Sequence, residues 1–291
     1  MNDHLVRVIS TEVNVRALAC LTTNTVTEAC RRHQTLPTAS VALGRALTGG
    51  VLMGALLKGR QRLVLKFEGN GPLGKIVIQA DPMCLVSGYV SNPGVDLPLK
   101  DGRFDIPGAL GQAGLLTVAK DLLLKEPYQG VVNLISSEIG DDLAYYLTDS
   151  EQTPSTMGLT TIPDNQSGIV VAGGFLIQSL PPANEQAVDE LSRRIARLPS
   201  LAKMLHEGAG PREVLDQIFG DISFDILGHQ DVAFHCGCSR ERIEQALITL
   251  GANEIQDLAK QPEDTTITCE FCREPYRFTA EDLRRLAHER H

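Results

Sequence analysis

Four cysteines in the last fifth of the chain carry the clearest chemistry: Cys236-Gly-Cys238 and Cys269-Glu-Phe-Cys272, separated by thirty residues. Two close thiol pairs on separate turns can close a tetrahedron around one metal ion, and this layout predicts a four-thiolate Zn²⁺ site. The second pair has the ordinary C-x-x-C knuckle spacing. The first leaves only Gly237 to bend the chain, a residue that tolerates unusual backbone angles and close approach. A purely structural zinc site is the commoner use of such clusters, and an iron–sulfur cluster is a weaker alternative.

Bound thiolates are also the form that oxidants attack. Residues two or three apart in a turn bring their Cα atoms into the roughly 4.4–6.8 Å window that a disulfide requires, so Cys236 is expected to pair with Cys238 and Cys269 with Cys272. Those bonds would remove every ligand while closing only tiny loops, which restores little stability. Oxidation is therefore expected to favour disorder.

Other chemistry-bearing residues have plainer readings. His235 adjoins Cys236, but a four-cysteine set leaves it no vacancy. Cys20, Cys30 and Cys84 lie singly in apolar surroundings and read as core residues. Asp141-Asp142 could serve as acid and base, yet adjacent carboxylates ahead of a helix read better as cap and first-turn charge. Arg31-Arg32-His33 reads as a solvated helix end. No catalytic set emerges, so the chain is not expected to be an enzyme.

Composition narrows the partners. The 291 residues carry a net charge of −9, and the segment from Asp231 onward holds eight Lys or Arg against twelve Asp or Glu. That charge argues against a broad phosphate-binding surface, and no tryptophan with 4% aromatic content leaves few stacking platforms, so nucleic acid is not an expected partner. The start, MNDHLVRVIS, lacks the basic and apolar runs of a signal peptide, so a reducing, cytoplasmic compartment is expected. Val41–Leu57 is the most membrane-like stretch, but it is Gly- and Ala-rich and marginal in length, and a buried helix is expected instead.

The elements that must position the cysteines follow from periodicity. Residues 1–178 mix strands, at Val6–Ile9, Val13–Ala19, Arg62–Phe67, Lys75–Gln79, Ser87–Ser91, Leu115–Lys120 and Gly130–Leu134, with helices from Thr25 to His33, from Thr38 or Ser40 to Lys58, and from Glu138 to Thr148. Gly168–Gln178 is expected to form two strands meeting at Gly173-Gly174. This predicts an α+β domain with a mainly antiparallel sheet packed with helices. Gly69-x-Gly71-x-x-Gly74 matches a dinucleotide fingerprint only superficially, because a strand rather than a helix should follow it.

Residues 179–230 change character after Pro181-Pro182. Three short amphipathic helices, beginning near Asn184, Ser200 and Gly210-Pro211, are each of marginal length and need a partner surface. Residues 231–291 then predict a small C-terminal zinc-binding domain: helices at Ser239–Leu250 and Asn253–Lys260, a strand at Thr265–Thr268, a hairpin at the second cysteine pair and a terminal helix from Thr279. So small a core needs metal for stability; zinc ligation supplies on the order of 10–16 kcal/mol of apparent folding free energy.

Several segments together resemble the family of the 33 kDa chaperonin, a redox-regulated heat-shock holdase: Arg31-Arg32-His33 with Pro37-Thr-Ala-Ser40, Glu68-Gly-Asn-Gly-Pro-Leu-Gly74, Tyr89-Val-Ser-Asn-Pro93, Val118-Ala-Lys-Asp121, Tyr145-Tyr146 with Ser150-Glu-Gln152, Ala172-Gly-Gly174 and Cys236-Gly-Cys-Ser-Arg-Glu-Arg242. The resemblance covers essentially the whole chain. It implies a reduced, zinc-bound and largely inactive form in which Cys236, Cys238, Cys269 and Cys272 are ligands. Peroxide with heat, or hypochlorite, would form the two neighbouring disulfides, expel zinc and unfold the linker. The active form, often a homodimer, would hold unfolded client proteins without ATP until downstream ATP-dependent chaperones refold them.

Overall fold

A computed structural model describes residues 2–288 except 125, 165–167 and 183. The chain divides into two compact units, residues 1–234 and 235–291.

The first unit contains, in chain order, β1 (His4–Ser10), β2 (Val15–Leu21), α1 (Thr23–His33), α2 (Pro37–Gly54), β3 (Arg62–Gly69), β4 (Lys75–Ala80), β5 (Leu85–Val90), α3 (Ile106–Leu110), β6 (Gly114–Asp121), β7 (Tyr128–Asn133), α4 (Gly140–Asp149), β8 (Ser155–Pro163), β9 (Ile169–Ser179), α5 (Glu185–Arg197), α6 (Leu201–His206), α7 (Pro211–Phe219), β10 (Asp225–Asp231) and β11 (Ala233–Phe234). A five-stranded sheet runs β10-β1-β2-β9-β8 and a six-stranded sheet runs β11-β5-β4-β3-β6-β7. All pairings are antiparallel except the short β11 to β5 contact, as the expected α+β class requires.

The apolar stretch near Val41–Leu57 is α2, buried along almost its whole length. No helix among the described residues is long and apolar enough to cross a membrane. Burial on every side demands small residues where strands come close: a Cβ on Gly50 would lie 2.7 Å from Ile78 Cγ2. The helix begins at Pro37 rather than at a Thr38 or Ser40 cap. Asp96 caps it from outside, accepting from the Thr38 backbone N–H at 3.1 Å and from its hydroxyl at 2.8 Å.

The glycine turn after β3 leads into the strand β4, so the dinucleotide reading is excluded. Gly168–Gln178 departs from expectation: β9 is one continuous strand through Gly173-Gly174, paired with β2 on one side and β8 on the other. The glycines there serve close packing, since a Cβ on Gly173 would sit 2.6 Å from the Cys20 carbonyl. The periodicity assigns neither β8, which mixes Ser, Thr, Gly and Pro with its apolar residues, nor β10, which carries Asp at both ends.

The three short helices find their surface on the five-stranded sheet. Leu191 of α5, Met204 and Leu205 of α6, and Val214, Leu215, Ile218 and Phe219 of α7 bury against Val6, Val8, Ala17, Ala19, Phe175 and Ile177. The opposite face of that sheet, α2 and the six-stranded sheet share a separate core.

Asp142 supports the cap reading. Its fully buried carboxylate accepts backbone N–H bonds from Ile135 (2.8 Å), Ser136 (3.1 Å), Ser137 (3.2 Å) and Ile139 (3.0 Å), fixing the loop that enters α4. Arg31 and Arg32 both pair with Glu28. His33, expected at a solvated end, is instead buried. Cys20, Cys30 and Cys84 are buried free thiols, and loss of hydration pushes all three upward, Cys84 to about 11.

Candidate metal centre

The second unit is built from α8 (Arg240–Ile248), α9 (Ala252–Leu258), β12 (Thr265–Thr268), β13 (Pro275–Phe278) and α10 (Ala280–His288). Ser239 caps α8 by accepting from the Arg242 N–H at 3.3 Å, and β12 and β13 form the expected hairpin. Its core is small: Leu247, Ile255, Ala259, Phe278, Leu283, Leu286 and Ala287 are its buried apolar residues.

Cys236 and Cys238 lie in the segment that leads into α8, and Cys269 and Cys272 lie in the turn between β12 and β13. That turn is closed by the Cys269 N–H donating to the Glu274 carbonyl at 2.9 Å and the Arg273 N–H donating to the Cys269 carbonyl at 2.8 Å. Arg273 adopts the left-handed conformation, φ 62°, which reverses the chain after the second thiol. Gly237 does not adopt positive φ, contrary to the expectation of an unusual backbone there. Arg242 Nη1 donates to the Gly237 carbonyl at 2.6 Å and fixes the short turn instead.

The four sulfur atoms all lie within 4.8 Å of one another. Across the pairs, Cys236 Sγ is 3.8 Å from Cys269 Sγ, and Cys238 Sγ is 3.4 Å from Cys272 Sγ. A tetrahedral ion with metal–sulfur bonds of about 2.3 Å places its sulfurs roughly 3.8 Å apart. The cluster thus fits a four-thiolate metal ion, and a bound ion would supply the positive charge that lets all four sulfurs be thiolates. His235 is exposed and stands outside this group.

The surroundings differentiate the thiols. Burial, with repulsion from Cys269, pushes Cys236 to about 11, against a hydrogen bond from the Cys238 backbone. Burial raises Cys272 further, and the crowding of Cys238, Cys236 and Cys269 adds to it, although the Glu274 backbone donates to its sulfur. At Cys238 burial acts upward as well, but donation from the Tyr276 hydroxyl, 3.0 Å away, and from the other three thiols outweighs it and lowers the value. Among Cys236, Cys238 and Cys272, negative charge is therefore held best at Cys238.

Sequence reasoning did not find Tyr276 or the second role of the Ser239-Arg-Glu-Arg242 segment. Arg240 donates to the Arg277 carbonyl at 2.7 Å and to Asp282 at 3.0 Å, and its guanidinium lies 4.4 Å from the Phe278 ring centroid. It ties α8 to β13 and α10. The available signal was the pair of arginines directly behind the C-x-C turn, which read only as part of a helix start.

Fold and site together define a class: a two-sheet α+β protein bearing a small separate unit organised by a four-sulfur cluster. The family model described as Hsp33 protein matches residues 3–279. A 33 kDa chaperonin from Geobacter sulfurreducens is 55% identical over 286 residues, covering 98% of this chain and 95% of that protein. One from Citrifermentans bemidjiense is 51% identical over 289 residues, with coverage of 99% and 98%. Among solved structures, a 33 kDa chaperonin from Thermotoga maritima superposes with a TM-score of 0.92 at 35% identity, covering 99% of this chain and 98% of that one. The chain belongs to the Hsp33 family.

Proposed function

We propose that the protein is a redox-regulated, ATP-independent chaperone that holds unfolding proteins and prevents their aggregation during oxidative and heat stress. The observation that carries this reading is the packing of two close thiol pairs into one cluster, which organises a unit with a very small apolar core. In the reduced form Cys236, Cys238, Cys269 and Cys272 hold Zn²⁺, and the protein is inactive.

Oxidation proceeds on the chain's own sulfurs. In each pair one thiolate attacks a peroxide oxygen, forming a sulfenic acid and releasing the other oxygen as water once protonated. The neighbouring thiol then displaces a second water and closes the disulfide, so each pair gives two electrons to one peroxide. Cys236–Cys238 and Cys269–Cys272 are the products, and with no thiolate left the metal is released.

The unit then loses its main support, and the chain leading into it through β10 and β11 loses a fixed end. The three helices α5, α6 and α7 form the linker that responds. Their apolar stripes and the sheet face beneath them become the client-binding surface. Clients pass to ATP-dependent chaperones, the oxidised form is a homodimer, and the protein acts in the cytoplasm.

The test measures suppression of thermal aggregation of a denatured client alongside zinc release, before and after peroxide at raised temperature. Activity appearing together with stoichiometric zinc loss is expected. Equal activity in both states with zinc retained would overturn the switch.

A further inference from the structure

The outer edge of the six-stranded sheet is open. Strand β7 pairs with β6 on one side only, and among the described residues its backbone makes no hydrogen bond on the other. Its sequence, Tyr-Gln-Gly-Val-Val-Asn, has no charge and no proline, and four of its six residues are exposed. Natural edges are usually blunted by charge, proline or brevity. The other edges of the two large sheets follow that rule: β10 carries Asp225 and Asp231, β8 ends in Pro163, and β11 has two residues. β7 departs from it.

Apolar side chains gather around this edge. Val131 of β7 and Leu115 of β6 lie on the same sheet face, since Leu115 pairs with Asn133, two residues from Val131. They are 50% and 43% exposed, while Leu116, Val118 and Val132 on the opposite face are buried. Leu123, Leu124 and Ile135, beyond the strand ends, are more exposed still.

We infer that β7 is a docking edge for extended, uncharged apolar segments of unfolded polypeptides, which add to the sheet as a seventh strand. The unpaired backbone ladder selects an extended chain, and the flanking apolar groups select its composition. A second copy of this chain fits poorly. Six residues a side fall far short of the roughly 1,200 Å² that stable interfaces bury, so this edge alone would not hold two copies together. This deepens the holdase reading and rests on it for the identity of the natural occupant. A single strand binds weakly; joined to the surface released from under α5, α6 and α7, it would give two-point capture with a high effective concentration.

The test uses the full chain and two probes: a labelled Val/Thr-rich hexapeptide, and a reduced, carboxymethylated lactalbumin as unfolded client. Either probe should slow amide exchange within Tyr128–Asn133 at least fivefold, the peptide in both redox states and the client in the oxidised state. The double variant Gln129→Lys/Val131→Lys, at two exposed positions, should abolish that protection. It should also raise at least threefold the amount of oxidised protein needed to halve client aggregation, with zinc release unchanged. Retained exchange protection of β6 shows that the variant is folded. Client held without any slowing in β7, or a variant as active as the parent, overturns the edge, as does concentration-dependent protection of β7 without a probe, which assigns it to a second copy. Peptide binding at β7 without holdase activity leaves the edge standing and sinks the holdase reading instead.

Discussion

The Tyr276 hydroxyl donates to Cys238 Sγ at 3.0 Å, and one hydrogen bond acts on both partners. It lowers the Cys238 thiol and, because the phenol proton is engaged by sulfur, raises Tyr276. A thiolate so supported is a better-positioned metal ligand, and outer partners of this kind typically contribute 10- to 100-fold in affinity. Tyr276→Phe keeps the ring and removes only the donor, so zinc affinity is expected to fall about tenfold, read by competition with a chromogenic chelator. Unchanged affinity would show that the contact is incidental. Arg240 acts differently, through packing of α8 on β13 and α10, and its loss should be felt in stability.

Among the elements, α7 shows how a helix of nine residues persists: Leu215, Ile218 and Phe219 are fully buried against the five-stranded sheet. Leu215→Ala should weaken this packing by about 2–5 kcal/mol. The expected outcome is earlier proteolysis of residues 185–219 on heating and a lower peroxide threshold for activity, with the zinc content of the reduced protein unchanged. Cleavage at the parental temperature would disconnect the helix from the proposed switch. The helices themselves were legible because Leu191, Leu215 and their neighbours repeat at helical spacing on otherwise charged segments. The cysteine cluster was legible because its four thiols come from two short sequence-local pairs. The strands β8 and β10 were not, since Ser155–Pro163 and Asp225–Asp231 become strands through pairing with β9 and β1, partners that a local pattern does not contain. Tyr276 escaped for a related reason: the β12–β13 hairpin, not sequence proximity, carries its hydroxyl to Cys238.

Across the whole molecule the two units differ sharply in what holds them. The first has two large sheets and two extended cores, whereas the second has a handful of buried apolar side chains around a sulfur cluster. For a domain of that size the apolar core alone leaves a net stability near zero, while zinc ligation supplies on the order of 10 kcal/mol. Chelation under reducing conditions should therefore melt residues 236–287 and leave β2, β3 and β9 protected, as read by hydrogen exchange. Added zinc should restore protection within the time of mixing, because the thiols are still present. After peroxide the same melting should resist zinc until a reductant reopens the disulfides. Metal loss and thiol oxidation would then be separable steps, the first reversible by the ion alone and the second only by electrons; protection that survives chelation would mean that the small core suffices and that the cysteines do not hold the fold.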